Sequence, residues 1–207
     1  MIVEIFQDSV CPWCRIGKKH LFDAISQWTG EEIEVRYRSY LLNAQIPEEG
    51  IPYHTYMASI KGGQQDVEQM LQRTAQVGEA AGLVFRFDKI EKMPNTLASH
   101  QLVKSVPDEL RGKVVDAIYK AYFEDGRDIG DREELVKIAK EVGIDEEQAA
   151  EALRTLRYHA EIQEDISFAQ ANQISGVPFF VIDGKLGLSG AHPVENFLRA
   201  FRQATEE

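Results

Sequence analysis

The sequence predicts an α/β fold in which a β-α-β unit and a β-β-α unit, one at each end of the chain, are separated by a long helical block. Three observations carry this expectation. Residues 1–6 and "EEIEVRYRSYLL" read as strands on either side of an amphipathic helix, and nearly all of residues 53–172 carries helical periodicity. Asp183-Gly184 lies between two apolar runs, which is a strong short-range hairpin signal.

Taken in order, "MIVEIF" is short, apolar, rich in Ile and Val and bounded by "QDS", as a buried strand requires. From Cys14 onward, Gly17, Leu21, Ala24, Ile25 and Trp28 recur at spacings of three and four, and the run stops at Thr29-Gly30. Lys18 and Lys19 read as the solvated face of that helix, and Pro12 falls in its first turn, where a missing N–H costs nothing. In the next strand Ile33, Val35 and Tyr37 alternate with Glu34, Arg36 and Arg38. The turn-rich "NAQIPEEGIPYH" ends this unit.

Helices are expected at residues 64–81, 96–105, 107–124, 132–142, 146–154 and 157–171, interrupted only by "LVFRFD". Gly82, Gly130 and Gly143 mark helix ends, and Asp131 and Asp145 are N-caps, the first with Glu134 three residues later. Strand character returns at "VPFFVIDGKLGLSG", and residues 193–204 form a last helix with Val194, Phe197, Leu198 and Phe201 on one stripe.

Composition bounds the function. A chain of 207 residues, 43% hydrophobic and 28% charged, buries its own core and contains no run of eighteen apolar residues for a membrane span. The formal net charge of -11 is spread along the helices and repels a phosphate backbone, which argues against nucleic acid as a partner. Because "MIVEIF" already reads as a first strand rather than a secretory leader, a cytoplasmic location is expected.

The two cysteines, Cys11 and Cys14, are separated only by Pro12 and Trp13. Three readings are open: a redox pair, half a metal site, or a structural staple. A reducing cytosol and a very short closed loop argue against the staple. A tetrahedral metal site needs two further ligands from His20, His54, His100, His159, His192 or carboxylates, none of the histidines forms an HxxxH pair, and no metal is expected. A strand ending before Cys11 and a helix starting at Pro12 put Cys11 at a helix N-terminus, where a thiol pKa of about 8.5 can fall to about 3.5–7.5. The expected division is an exposed Cys11 that attacks and an inner Cys14, on the apolar stripe, that resolves the mixed disulfide. A CxxC pair near β-α-β patterning is the signal of a thioredoxin-like redox motif.

The chain resembles the DsbA-like branch of the thioredoxin-fold superfamily, through "VCPWC" and "SGVPFFVIDGKLGLSGAHPVENF". Through "DSVCPWCRIGKKHL", "MPNTLASH", "AYFEDGRDIGD" and "SGVPFFV" it is similar to the FrnE-like subfamily, a relative of 2-hydroxychromene-2-carboxylate isomerases and kappa-class glutathione transferases. The resemblance implies a thioredoxin-like domain formed by residues 1–43 and 173–207, with an all-helical domain, residues 44–172, inserted between its second and third strands. It implies a thiol-disulfide oxidoreductase acting on protein or small-thiol substrates, with no bound cofactor and with glutathione as a redox partner. It also implies a cis Val177-Pro178 bond facing the cysteines, with Val177 binding substrate through its backbone. Relatives of the isomerase and transferase type generally carry Ser at the position of Cys11 and a Ser-Asp pair near the last helix; here that region reads "SGAHP". A glutathione-dependent isomerase or transferase is the rival reading.

Several residues carry two readings each. Asp8 assists proton transfer or caps the turn before the helix, and Glu4 is a buried acid beneath the cysteines or faces solvent. Trp13 contacts substrate or packs on the helical domain. Asn95-Thr96 reads most simply as a helix N-cap, and His100 and His192 as structural residues without an evident partner.

Overall fold

The fold follows from the apolar strand at the start of the chain, which alternates buried faces and therefore has to be covered on both sides. A computed structural model describes residues 1–61 and 63–206. In chain order the elements are β1 (Ile2–Gln7), α1 (Pro12–Gln27), β2 (Glu34–Ser39), β3 (Ile51–Pro52), α2 (Tyr53–Lys61), α3 (Gln64–Ala80), a 3₁₀ turn (Phe87–Lys89), β4 (Lys92–Met93), α4 (Leu97–Lys104), α5 (Asp108–Phe123), α6 (Arg132–Glu141), α7 (Glu146–Thr155), α8 (His159–Ala171), β5 (Phe179–Ile182), β6 (Leu186–Ser189) and α9 (Val194–Glu206).

Both ends of the chain build one sheet of order β2-β1-β5-β6. β2 runs parallel to β1, with Val3 opposite Val35 and Ile5 opposite Tyr37. β5 runs antiparallel on the other side, with Ile5 opposite Phe180, and β6 pairs antiparallel with β5. The hairpin expected at Asp183-Gly184 forms: both residues have positive φ, 48° and 67°, and Lys185 N–H donates to the Ile182 carbonyl at 3.0 Å, as in a type I′ turn. The Asp183 carboxylate also accepts the Ile2 amide at 2.6 Å, which ties the turn to the start of β1.

One face of the sheet, carrying Val3, Ile5, Phe180 and Ile182, is covered by α1 and α9 and belongs to the main core. Phe197 and Phe201 of α9 are fully buried there, with the Phe180 and Phe197 rings edge to face at 4.8 Å. On the opposite face Phe6 packs with Ala169 and Ile174, and its ring stacks on Phe168 of α8 at 5.7 Å. Gly17 allows α1 to lie close to the sheet: a Cβ there would sit 3.0 Å from both the Phe180 ring and Pro178. Gly17→Ala is therefore expected to cost about 1–3 kcal/mol through overpacking. Urea unfolding is the check; a loss below about 0.5 kcal/mol would mean that α1 shifts freely.

The region between β2 and β5 is helical, with boundaries within a few residues of those expected. Asp131 caps α6 by accepting the Glu133 and Glu134 amides at 2.8 and 3.2 Å, and Asp145 caps α7 by accepting the Gln148 amide at 2.8 Å. One feature is additional: β3 and β4 form a two-residue antiparallel ribbon. Two residues per strand, one of them Pro52, are too short to show a period. Phe85, Phe87, Tyr119, Tyr122 and Phe123 form an aromatic cluster, with centroid separations from 5.0 to 6.2 Å.

Helix α1 joins this region to the sheet, which corrects the reading of Lys18. Lys18 is only 7% exposed, and its ammonium lies 2.6 Å from Asp116 of α5 and over the Phe22 ring. Burial lowers its pKa, with Asp116 opposing. The lysine stem is long enough to cross apolar surface, so a charged residue occupies an interface that periodicity assigns to solvent. Arg15 acts alongside it, donating to the Val84 carbonyl at 2.8 Å, pairing with Glu124 and covering the Phe85 ring. No helix among the described residues is long and apolar enough to cross a membrane.

Candidate active site

The turn leaving β1 runs straight into α1. Cys11 is the N-cap of α1, in extended conformation, and its Sγ accepts the Cys14 amide at 3.3 Å, a role that serine or aspartate side chains usually fill. Its own amide donates to the Asp8 carbonyl at 3.0 Å. Pro12 occupies the first turn, as expected. Both cysteines are free thiols.

Residues from the far end of the chain close the site. The Val177-Pro178 bond is cis, and the Cys11 thiol donates to the Val177 carbonyl at 3.5 Å. The "SGAHP" stretch holds this segment in position, because Gly190 N–H donates to the Pro178 carbonyl at 2.8 Å. His192 has partners after all: its carbonyl lies 2.9 Å from His20 Nδ1 and its own Nδ1 lies 2.9 Å from the Asn196 amide.

The expected contrast between an exposed and an inner cysteine is not found in this form. Cys11 is 4% exposed and Cys14 0%. Val177 covers the Cys11 sulfur from one side, and the inserted helices wall the other, so access runs through a groove. That groove encloses about 410 Å³ and is mainly apolar. It is lined by Cys11, Pro12, Trp13 and Val177 from the sheet-bearing part, and by residues such as Tyr56 and Met70 from α2 and α3. Trp13, 37% exposed, stands with Leu42 and Ile60 as an exposed apolar residue of this groove. A larger cleft of about 850 Å³ runs along α1 and α5, but neither cysteine lines it.

Burial acts strongly on the inner thiol. Burial pushes the Cys14 thiol well above its ordinary value, and its hydrogen bond and charge interaction with Cys11 push in the same direction. Cys14 is therefore a thiol, not a thiolate, near neutral pH.

Asp8 does not cap α1. Its carboxylate is 1% exposed, accepts the Leu42 amide at 2.7 Å, and faces His100 Nε2 at 3.5 Å. His100 thus has a partner that its sequence neighbourhood does not reveal. Glu4 lies on the opposite face of the sheet, paired with Arg38, and is neither beneath the cysteines nor free in solvent. Asn95 accepts the Leu97 amide at 2.9 Å at the start of α4 and donates to the Ile46 carbonyl at 2.6 Å, so it also pins the loop beside the groove. Sequence reasoning missed Gln7 and Tyr119, buried residues joined by a 2.8 Å hydrogen bond. Gln7 follows a run of strand residues and has no local signal of its own.

Comparison with known proteins shows the family and the fold. Residues 2–202 match the model of the DSBA-like thioredoxin domain. The chain belongs to that family, a family of disulfide oxidoreductases. A structure described as a "probable DsbA oxidoreductase" from Streptomyces coelicolor superposes with a TM-score of 0.91 at 31% identity, covering 100% of this chain and 91% of that one. The cytosolic disulfide reductase DsbM of Pseudomonas aeruginosa, in a structure with GSH, has a TM-score of 0.72 at 19% identity, with both chains fully covered. A 2-hydroxychromene-2-carboxylate isomerase structure has a TM-score of 0.71 at 14% identity, covering 100% of this chain and 95% of that one. At the sequence level, the uncharacterised YwbO of Bacillus subtilis strain 168 is 26% identical over 204 residues, 96% of this chain and 94% of that protein. These findings bear out the DsbA-like resemblance and the thioredoxin-like fold with its helical insertion.

Proposed function

We propose that the chain exchanges disulfides through the Cys11-Pro12-Trp13-Cys14 centre. Cys11 forms a mixed disulfide with the substrate, and Cys14 resolves it. The observation that carries this reading is the Cys11 sulfur itself, capping α1 while it faces the Val177 carbonyl at 3.5 Å. In the reducing direction the Cys11 thiolate attacks one sulfur of a substrate disulfide and the other sulfur leaves as a thiolate. Cys14 then attacks Cys11 and releases the second substrate thiolate, so the substrate is reduced and the protein pair oxidised. Pro12, Trp13, Val177 and Pro178 border the substrate. Backbone groups beside Pro178 offer an extended segment strand-like pairing, and Trp13 offers apolar contact.

Substrates are thiols or disulfides of proteins or small molecules, with glutathione as a redox partner and no bound cofactor. The glutathione reading is supported by the structure of the DsbM neighbour with GSH. A cytoplasmic location fits the cytosolic nature of that neighbour. The apolar groove of about 410 Å³ favours one rival, a glutathione-dependent isomerase or transferase, because it is large enough for a small organic substrate.

The test is a trap. Cys14→Ser is expected to accumulate a covalent adduct at Cys11 when mixed with oxidised glutathione or a peptide disulfide, visible by mass spectrometry and absent from Cys11→Ser. An enzyme of the rival class would instead keep a glutathione-dependent activity in Cys14→Ser without accumulating that adduct.

A further inference from the structure

The cleft of about 850 Å³ along α1 and α5 has no part in the exchange chemistry, since neither cysteine lines it. Its size falls within the range of about 300–1,000 Å³ found for small-ligand sites. Three elements build it: α1 contributes Phe22, β2 contributes Val35 and Tyr37, and α5 contributes Gly112, while Ile33 and Leu83 add further apolar surface. Phe22 is 39% exposed, a large apolar side chain left open to water.

One polar atom in this mainly apolar cleft lacks a partner. Tyr37 is 4% exposed, and its hydroxyl is buried without a hydrogen bond. The oxygen points at α5 where that helix carries no side chain, because a Cβ on Gly112 would come within 2.9 Å of it. A buried hydroxyl that gives up water without a replacement costs free energy, and phenylalanine would fill the same space without that cost. Burial pushes the Tyr37 phenol up, as does the charge of Asp116, so the group keeps its proton and is free to donate it.

The charges around the cleft favour an uncharged occupant. Arg15, Lys18, Lys19 and Lys120 each already pair with a carboxylate of the protein. Glu109 and Lys113, exposed lining residues with no ion pair among the described residues, are of opposite sign. A charged ligand would have to shed its water for a surface with no net charge to offer it, which is costly. What remains is apolar area and one hydrogen-bond donor.

We propose that this cleft is a binding site for a neutral, mainly aromatic small molecule bearing a carbonyl oxygen, which accepts the hydrogen bond that the Tyr37 hydroxyl otherwise lacks. The site is separate from the groove at Cys11, yet its occupant lies against α1, the helix that carries Cys14 and is capped by Cys11.

The probe is 2-acetylnaphthalene, with 2-isopropylnaphthalene as a near-isostere that lacks the oxygen. Each is titrated into the whole chain carrying labelled Ile, Leu, Val and Met methyl groups, and NMR shifts locate the site. Saturable shifts of Ile33, Val35 and Leu83 are expected with both. Tyr37→Phe keeps the ring and removes an unpaired hydroxyl, so the fold is expected to survive. It is expected to weaken the ketone about tenfold and to change the hydrocarbon less than about twofold. Absence of saturation, shifts confined to Met57 and Met70 of the groove at Cys11, an unchanged ketone affinity in Tyr37→Phe, or equal weakening of both probes overturns the proposal. Concentration-dependent shifts of the cleft methyl groups without any probe would seat a second copy of the chain there and also overturn it. Should Tyr37→Phe fail to fold, Leu83→Trp decides. Leu83 is half-buried, and an indole in its place is expected to fill the cleft and abolish ketone binding; undiminished binding overturns the proposal.

Discussion

Cys11→Ser is expected to abolish disulfide exchange, reducing turnover of a peptide disulfide to the uncatalysed level while leaving the fold intact. The two effects separate because the side chain has two roles. As the N-cap of α1, the Cys11 sulfur accepts the Cys14 amide, and a serine hydroxyl is among the best replacements for that task. Stability is therefore expected to change by less than about 1 kcal/mol. As a nucleophile, however, serine can neither form the mixed disulfide nor accept attack from Cys14. Circular dichroism together with a disulfide-reduction assay checks both halves. Turnover at the parent rate in Cys11→Ser would remove the redox centre from the proposed function. A glutathione-dependent isomerisation that survived would point to the rival class, whose members generally carry serine at this position.

The frame that presents Cys11 was legible because it is written in local periods. Alternation in residues 33–38, the Asp183-Gly184 turn and the three-and-four spacing after Cys14 each depend on neighbours a few positions away. The elements they predict occur where expected. What stayed illegible depends on partners from elsewhere in the chain. His100 has no local sign of Asp8, and Lys18 reads as solvated until α5 supplies Asp116. Helix placement alone suggested an exposed Cys11, because the residues that cover it, Val177 and the groove wall from α2 and α3, arrive from distant segments. The four-residue ribbon of β3 and β4 escaped for a different reason, having no room for a pattern. Pattern reading therefore recovers a site's scaffold more readily than its enclosure, and enclosure is what pushes the Cys14 thiol up.

Enclosure depends in turn on how the inserted helices are fixed to the sheet, and Asp165 of α8 is one polar fastening. Its carboxylate is 1% exposed and accepts the Ser39 amide of β2 at 2.8 Å, Arg38 at 2.9 Å and the Lys104 ammonium of α4 at 2.5 Å. Lys104 is itself 5% exposed, and its other hydrogen bond among the described residues goes to the Tyr37 carbonyl at 3.4 Å. In Asp165→Ala, Arg38 keeps Glu4, but Lys104 becomes a buried cation without a counter-charge and Ser39 loses its acceptor. Removing one partner of a buried pair costs about 3–5 kcal/mol, so a loss of that size in urea unfolding is expected, with unchanged activity per folded molecule. Removing both charges is different: Asp165→Leu combined with Lys104→Met leaves no unpaired cation and is expected to recover most of the loss. If the single change cost less than about 1 kcal/mol, the cluster would be behaving as a surface ion pair. If the double change were as damaging as the single one, the contribution of Asp165 would lie in the β2 amide bond rather than in the charge. The two variants together thus decide whether charge pairing or backbone capping holds the helical insertion against the strand that follows the active-site helix.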